Sequence, residues 1–259
     1  MYLAVYIGNA SFRAALGERG ERGERGERGE RGERGKIIKK AVSFARDGST
    51  AAEQIGIGLG IDWTHIQGSI IASVVPAYTD ALVTALAEKS GQAVKKVDVK
   101  NCGNLRTDAY KGLLGEDRIV CCARALQKYA NSAFVVLDFG IATTINVVNS
   151  KGEFQGGAIM PGLTEGLDAL ARSTALLPRV GWIGEVKLIG SNTLENMHSG
   201  AVIGQACAVE GFLQRIEAEL GTKPKIIATG PHAPLILSHC HFEYKHEPDL
   251  LLEGLLMLA

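Results

Sequence analysis

Val135-Val136-Leu137-Asp138-Phe139-Gly140-Ile141-Ala142 is an apolar run broken by one carboxylate and one glycine. It can be laid over Leu3-Ala4-Val5-Tyr6-Ile7-Gly8-Asn9-Ala10 near the start of the chain. Each stretch reads as an apolar strand, a turn containing glycine, and then a second strand. Two halves that begin alike imply a duplicated α/β architecture, with residues 1–130 as one domain and 131–259 as the other. Two such halves would create a cleft, and ligands favour domain interfaces.

Working outward, Ser11 to Leu16 and Lys36 to Phe44 read as strands of a meander, and Ile70 to Val75 as a buried strand ended by Pro76. Thr79 opens a helix with Leu82, Val83 and Leu86 on one face and Gly91 as its stop. Gly115 precedes a helix whose apolar stripe is Ile119, Cys122, Ala123, Leu126 and Ala130. Beyond the second glycine turn, Thr143 to Val148 and Phe154 to Ile159 read as hairpin partners. Pro161 to Ala175 and Ala201 to Leu220 read as helices, with Gly221 stopping the second. Ile226 to Ala228 is a short strand running into Thr229-Gly230, and Pro248 to Leu258 is apolar at helical spacing.

Composition excludes several classes. The chain has 259 residues, of which 46% are hydrophobic, enough for a real core. Its 28 basic and 28 acidic residues cancel, so it lacks the electrostatic footprint of a nucleic-acid or membrane-surface binder. No apolar run reaches the roughly 18 residues of a spanning helix, and the start has no leader pattern. Five cysteines without paired spacing read as reduced thiols of a cytoplasmic protein. One segment stands apart: Gly17 to Arg34 is a run of Gly-Glu-Arg closed by Gly35. Its glycine period matches collagen, but it has no proline and is short. It reads as a solvated, mobile loop inserted at 17–35, a partner-binding arm being the other reading.

The chemistry-bearing residues each allow two readings. Gly8-Asn9 and Gly140 to Thr144 fit plain β-turns, or turns that present N–H groups to phosphate oxygens. Asp138 ends an apolar strand, so its carboxylate needs either local N–H donors or a cation. Asp117, in Gly115-Glu116-Asp117-Arg118, suits a first-turn position favoured by the helix dipole, and it suits a proton acceptor. Arg118 fits a surface ion pair or a fork that clamps a carboxylate. His239-Cys240-His241 invites a metal reading, but neighbours on a strand point to opposite faces and no second cluster completes a set.

Taken together, the motifs resemble the type III pantothenate kinases, and the resemblance covers nearly the whole chain. The family's Asp-x-Gly-Asn-Thr is Tyr6-Ile7-Gly8-Asn9-Ala10, and its Gly-x-Asp-Arg is Gly115 to Arg118. Its Asp-x-Gly-Thr-Ala-Thr-Thr is Asp138 to Thr144, and its Gly-Gly-x-Ile-x-Pro-Gly is Gly156 to Gly162. Thr174 to Pro178, Asn192 to Gly200 and the Pro248 to Leu255 tail are similar too.

The resemblance implies two duplicated actin-like (ribonuclease H-like) domains with a nucleotide cleft between them. It implies phosphoryl transfer from ATP to pantothenate, the first step of coenzyme A synthesis, and a homodimer. By the same resemblance Asp117 is the general base, and Gly115, Glu116, Asp117, Arg118 and Thr193 contact pantothenate. Tyr6, Ile7, Gly8, Asn9 and Ala10, with Gly140, Ile141, Thr143 and Thr144, hold ATP. Asp138 supports a monovalent cation, K⁺ or NH₄⁺, and Mg²⁺ bridges the phosphates.

Several positions depart from the family pattern. Tyr6 replaces a carboxylate that lies near the magnesium and phosphates, and a phenol is neutral at pH 7. Ala10 and Ile141 each replace a hydroxyl, and Pro231 stands where a second glycine is usual. Lys111 replaces a proline, and the substrate-side tyrosine is out of register, with Tyr110 nearby. The substrate side is kept while the phosphate side has lost polar groups. A non-catalytic homologue acting as a binding or regulatory protein is therefore the alternative to a kinase.

Overall fold

The structure, a computed structural model, describes residues 1–19, 35–45, 47–98, 102–181 and 184–259. The chain divides into two compact units, one formed by Met1–Lys128 with Asp249–Ala259 and the other by Tyr129–Pro248. Each contains a mixed five-stranded sheet with helices packed on it, so the chain is α/β. No helix among the described residues is long and apolar enough to cross a membrane.

In the first unit β1 (Tyr2–Ile7) is central. It pairs antiparallel with β2 (Phe12–Glu18), which pairs antiparallel with β3 (Lys36–Ser43). After α1 (Gly48–Leu59) comes β4 (Gly68–Ser73), parallel to β1. Then α2 (Pro76–Ser90), β5 (Val94–Lys96) and α3 (Glu116–Lys128) follow, giving the order β3-β2-β1-β4-β5. A strand flanked on both sides and covered on both faces reads as a continuous apolar run rather than an alternation, which is why residues 3–7 show no polar face. Leu3, Val5 and Ile7 pack with Phe12 and Ile71 on Ala51, Ile55 and Leu59 of α1 and on Leu82 and Leu86 of α2.

The second unit contains β6 (Phe134–Phe139), β7 (Ala142–Val148), β8 (Phe154–Pro161), α4 (Leu163–Ser173), α5 (Thr193–Leu220), β9 (Lys225–Thr229), α6 (Ala233–Leu237) and β10 (Lys245–His246). Its sheet order is β10-β9-β6-β7-β8, with β6–β7–β8 antiparallel and β6–β9–β10 parallel. Val135, Leu137 and Phe139 pack with Ile145 and Ala228 on Ala206, Val209 and Leu213 of α5 and on Ile236 of α6.

Some boundaries differ from the sequence reading. α1 is unanticipated, because three glycines interrupt its pattern. Two of them permit close packing. A Cβ on Gly48 would lie 2.3 Å from the Leu82 nitrogen, and one on Gly56 would lie 2.8 Å from the Trp63 ring. Asp47 caps this helix by accepting from the Thr50 N–H at 2.8 Å. α2 starts at Pro76 rather than Thr79, since proline is well suited to a first helical position. α4 starts after Pro161, which still pairs with Ala142 in the sheet. α5 starts at Thr193 rather than Ala201, capped by the Asn192 side chain at 3.0 Å from the Glu195 nitrogen. The Gly17 to Arg34 repeat falls outside the described residues from 20 onward.

The last helix, α7 (Leu250–Leu258), packs in the first unit, whereas the sequence reading places 131–259 together. Its run is apolar all round, so it must be covered on most sides. Leu250, Leu251, Leu252, Leu255 and Leu256 are buried, and Gly254 allows close approach to Val120 of α3. Arg124 of α3, only 6% exposed, donates from Nε and Nη2 to Glu253 Oε2 at 3.0 and 2.9 Å. Lys128 Nζ lies 3.1 Å from the same oxygen. Removing one partner of a buried pair leaves the other charge uncompensated. Glu253→Ala is expected to lower the unfolding free energy of the first unit by about 3 kcal/mol in urea denaturation, with Glu253→Gln losing less.

Candidate functional site

In the first unit, Asp117 sits in the first turn of α3, where the free N–H groups of the helix favour negative charge. Its Oδ1 accepts the Arg118 N–H at 2.8 Å and its Oδ2 accepts the Tyr6 hydroxyl at 3.0 Å. Gly115 leaves room for this carboxylate, since a Cβ there would lie 2.6 Å from Oδ1. Tyr6 comes from the end of β1 and is 8% exposed. Its ring closes over Gly8, where a Cβ would lie 2.9 Å from Cε1. Gly8 itself begins a turn, its N–H donating to the Ser11 carbonyl at 3.0 Å. The β1–β2 register places Arg13 opposite Tyr6, and the guanidinium carbon lies 4.9 Å from the ring centroid.

The flanking residues of the motif have separate tasks. Glu116 Oε2 accepts the Ser73 N–H at the end of β4, at 2.7 Å. Burial pushes the Glu116 carboxyl above its ordinary value, against the Ser73 N–H, and the neighbouring Asp117 charge pushes it further. The Arg118 guanidinium lies 6.0 Å from the Tyr110 ring centroid, so the structure brings to the motif the tyrosine that stands near the family position.

In the second unit, Asp138 ends β6 and Gly140-Ile141 turn the chain into β7. Gly230, at φ 97°, lies against Asp138: a Cβ there would lie 2.5 Å from Oδ1 and 2.6 Å from the Phe139 nitrogen. Gly162 similarly admits the Gly140 and Ile141 carbonyls, and its N–H donates to the Ile141 oxygen at 2.8 Å. Thr143 is fully buried and donates to Gln205 Oε1 at 2.9 Å, so its hydroxyl is turned to α5. Thr144 Oγ1 accepts from Asn146 at 2.9 Å. Ile141 is 40% exposed. Thr193, exposed at the start of α5, helps line a cavity of about 470 Å³ with Gly162, Asn196, Met197 and Gln205.

The structure thus joins Tyr6, Gly8 and the Gly115 to Arg118 motif in one unit. It joins Asp138 and Gly140 with Gly230 in the other. Asn9 and Ala10 are exposed in their turn. Among the described residues no three His, Cys, Asp or Glu side chains gather as a metal-ligand set. Sequence reasoning missed Arg13, Ser73 and Gln205. The hairpin register would have revealed Arg13, because a turn between Ile7 and Phe12 places residue 13 across from residue 6. Ser73 and Gln205 act across elements distant in sequence and left no local signal.

Glu116 yields a pH prediction. A carboxyl whose folded value is raised binds its proton more tightly when folded, so stability falls as pH rises from the ordinary 4.5 through the raised value. Glu116→Gln keeps an acceptor for Ser73 and removes that loss. The melting temperature of the variant relative to the parent is expected to climb as pH rises from about 4.5 through the raised value, then level off. A flat difference would show that Glu116 titrates as an ordinary surface acid.

The family model of type III pantothenate kinase matches residues 2–215. The type III pantothenate kinase of Moorella thermoacetica is 37% identical over 220 residues, 82% of this chain and 86% of the relative. That of Desulforapulum autotrophicum is 35% identical over 211 residues, 80% of each chain. Among solved structures, the conserved Baf family transcriptional activator of Campylobacter jejuni aligns with a TM-score of 0.59 at 18% identity, covering 97% of this chain and 94% of that one. The ethanolamine utilization protein EutJ of Carboxydothermus hydrogenoformans aligns with a TM-score of 0.54 at 14% identity, covering 99% and 89%. At such identities the structural likeness shows the fold alone.

Proposed function

The chain belongs to the type III pantothenate kinase family, and from that premise we propose how its own residues carry the transfer of a phosphoryl group from ATP to pantothenate. The observation that carries the reading is the Asp117 carboxylate, held at Oδ1 by the Arg118 N–H and at Oδ2 by the Tyr6 hydroxyl, inside an intact Gly-x-Asp-Arg motif. Asp117 accepts the proton of the pantothenate primary hydroxyl as that oxygen attacks the terminal phosphorus of ATP and ADP leaves. A carboxylate fixed at both oxygens is aimed before substrate arrives, and positioning is most of what this reaction asks of a protein. Arg118 takes the pantothenate carboxylate with its fork of donors, and Gly115, Glu116 and Thr193 complete the substrate contacts.

For ATP, the turn after β1 contributes Tyr6, Ile7, Gly8, Asn9 and Ala10. The turn after β6 contributes Gly140, Ile141, Thr143 and Thr144. Ile7 is fully buried and serves through its backbone. Thr143 serves by fixing Gln205. Asp138 would hold a monovalent cation: its Oδ1 and the Phe139 carbonyl both lie beside Gly230, each within 2.6 Å of where a Cβ there would sit, and hard oxygen donors suit such ions. Mg²⁺ would be held mainly by phosphate oxygens, which neutralises the charge that moves in the transfer.

We also propose that the two units are copies of one actin-like plan. In each sheet the central strand continues on one side through two antiparallel pairings and on the other through two parallel pairings. Tyr6 and Asp138 occupy the same place in that plan, each beside the end of its parallel neighbour, at Ala72 and Thr229. A homodimer is supported by the large apolar residues left exposed at Leu170, Leu176, Leu188, Ile189 and Leu194.

The second reading, a non-catalytic homologue, is favoured by the phenol at position 6 and the exposed Ile141 in the phosphate turn. Pantothenate-dependent ADP release with Mg²⁺ and K⁺ separates the two. Turnover is expected in the parent, with Asp117→Asn lower by about 100-fold or more. Equal turnover in Asp117→Asn would remove it as the base. A silent parent whose activity appears only in Tyr6→Asp would establish the second reading.

A further inference from the structure

We propose that Tyr6, polarised by Arg13, is a positioning residue for Asp117. The inference rests on the kinase reading above. The phenol is buried, and a buried hydroxyl needs an acceptor; Asp117 Oδ2 supplies one at 3.0 Å. Phenol and carboxylate come from different elements, β1 and α3, so the bond ties the head of the helix to the end of the central strand. The remaining lone pair on Oδ2 stays available to a substrate hydroxyl, because each carboxylate oxygen accepts two hydrogen bonds. Tyr6 therefore orients the base without blocking it.

Arg13 sharpens this arrangement. Its guanidinium stands 4.9 Å from the Tyr6 ring centroid, and it forms no ion pair among the described residues. A cation over the ring face withdraws electron density from the phenol and makes its O–H a stronger donor. The pair thus holds the Asp117 carboxylate in place with a neutral side chain where the family has a negative one.

Glu116 and Arg118 flank Asp117 on α3, and Lys96 of β5 acts on Glu116. Tyr6 faces it from β1, with Arg13 of β2 behind the ring. Glu253 of α7 pairs with Arg124 and Lys128 farther along the helix. Tyr6→Phe alters none of these charges and keeps the ring over Gly8, so a change in turnover reports the hydroxyl.

The test uses the full chain and pantothenate-dependent ADP release with Mg²⁺ and K⁺. In Tyr6→Phe, kcat is expected to fall by about tenfold, while KM for pantothenate changes less. In the Asp117→Asn background the same substitution is expected to change kcat little, because a positioning residue acts only through the group it positions. Arg13→Met is expected to lower kcat by less than Tyr6→Phe does. An unchanged kcat in folded Tyr6→Phe overturns the proposal, and so does a fall that persists in full in the Asp117→Asn background; if Tyr6→Phe does not fold, an unchanged kcat in Arg13→Met overturns it. A fall in Tyr6→Phe with none in Arg13→Met removes Arg13 from it. A folded parent without ADP release sinks the kinase reading and this proposal with it. A working parent with an unchanged Tyr6→Phe sinks the pairing alone and leaves the kinase reading standing.

Discussion

A strand buried on both faces leaves no place for an unpartnered polar group, and β1 and β6 are both strands of this kind. Each carries its polar side chain near its C-terminal end, Tyr6 in one and Asp138 in the other, where the chain turns at a glycine. The C-terminal ends of parallel-paired strands are also where open α/β sheets bind ligands, because helix starts and turns present backbone donors there. The demand for satisfaction and the demand for a site coincide. Tyr6 meets the first by donating to Asp117, and the same contact holds the Asp117 carboxylate in place.

The glycines follow from that constraint. Gly8 lets the Tyr6 ring lie over the turn, Gly115 lets the Asp117 carboxylate fold back to its own helix, and Gly230 lets the Asp138 carboxylate lie on backbone. In each case a Cβ would come within 3.0 Å of the functional side chain. These residues are needed because of what leans on them.

The central strands, their turns and the helix after Gly115 were legible in the sequence because each carries a strong local signal: an apolar run, a glycine, a first-turn acid. α1 was not, since its glycines serve packing against α2 and Trp63, and a packing partner leaves no periodic trace. The start of α5 was obscured because Ser199 and Gly200 weaken the pattern, while the Asn192 cap lies well before them. The place of α7 was hidden for another reason. An apolar run announces that it will be buried but not where, and Glu253 marks the partner only once Arg124 is seen beside it. In the site, the motif residues were legible and their hydrogen bonds were not. Position 6 read as a loss because the sequence shows the missing carboxylate and not the acceptor that the phenol finds.

An acid at position 6, with its side chain directed at Asp117, would bring two negative groups close together, and one would have to stay protonated or share a cation. A phenol there removes the repulsion and supplies a donor instead of an acceptor. The cost falls on the phosphate side, where a negative group that could help to hold a cation is gone, and Arg13 brings a fixed positive charge to the same end of the sheet. Phosphoryl transfer needs positive charge near the phosphates and a base that stays ionised, and neither requirement specifies which side chain supplies it. With Tyr6, Arg13 and Asp117 joined in one unit, the acceptor that the phenol needs and the cation beside its ring are both held in place by the fold itself.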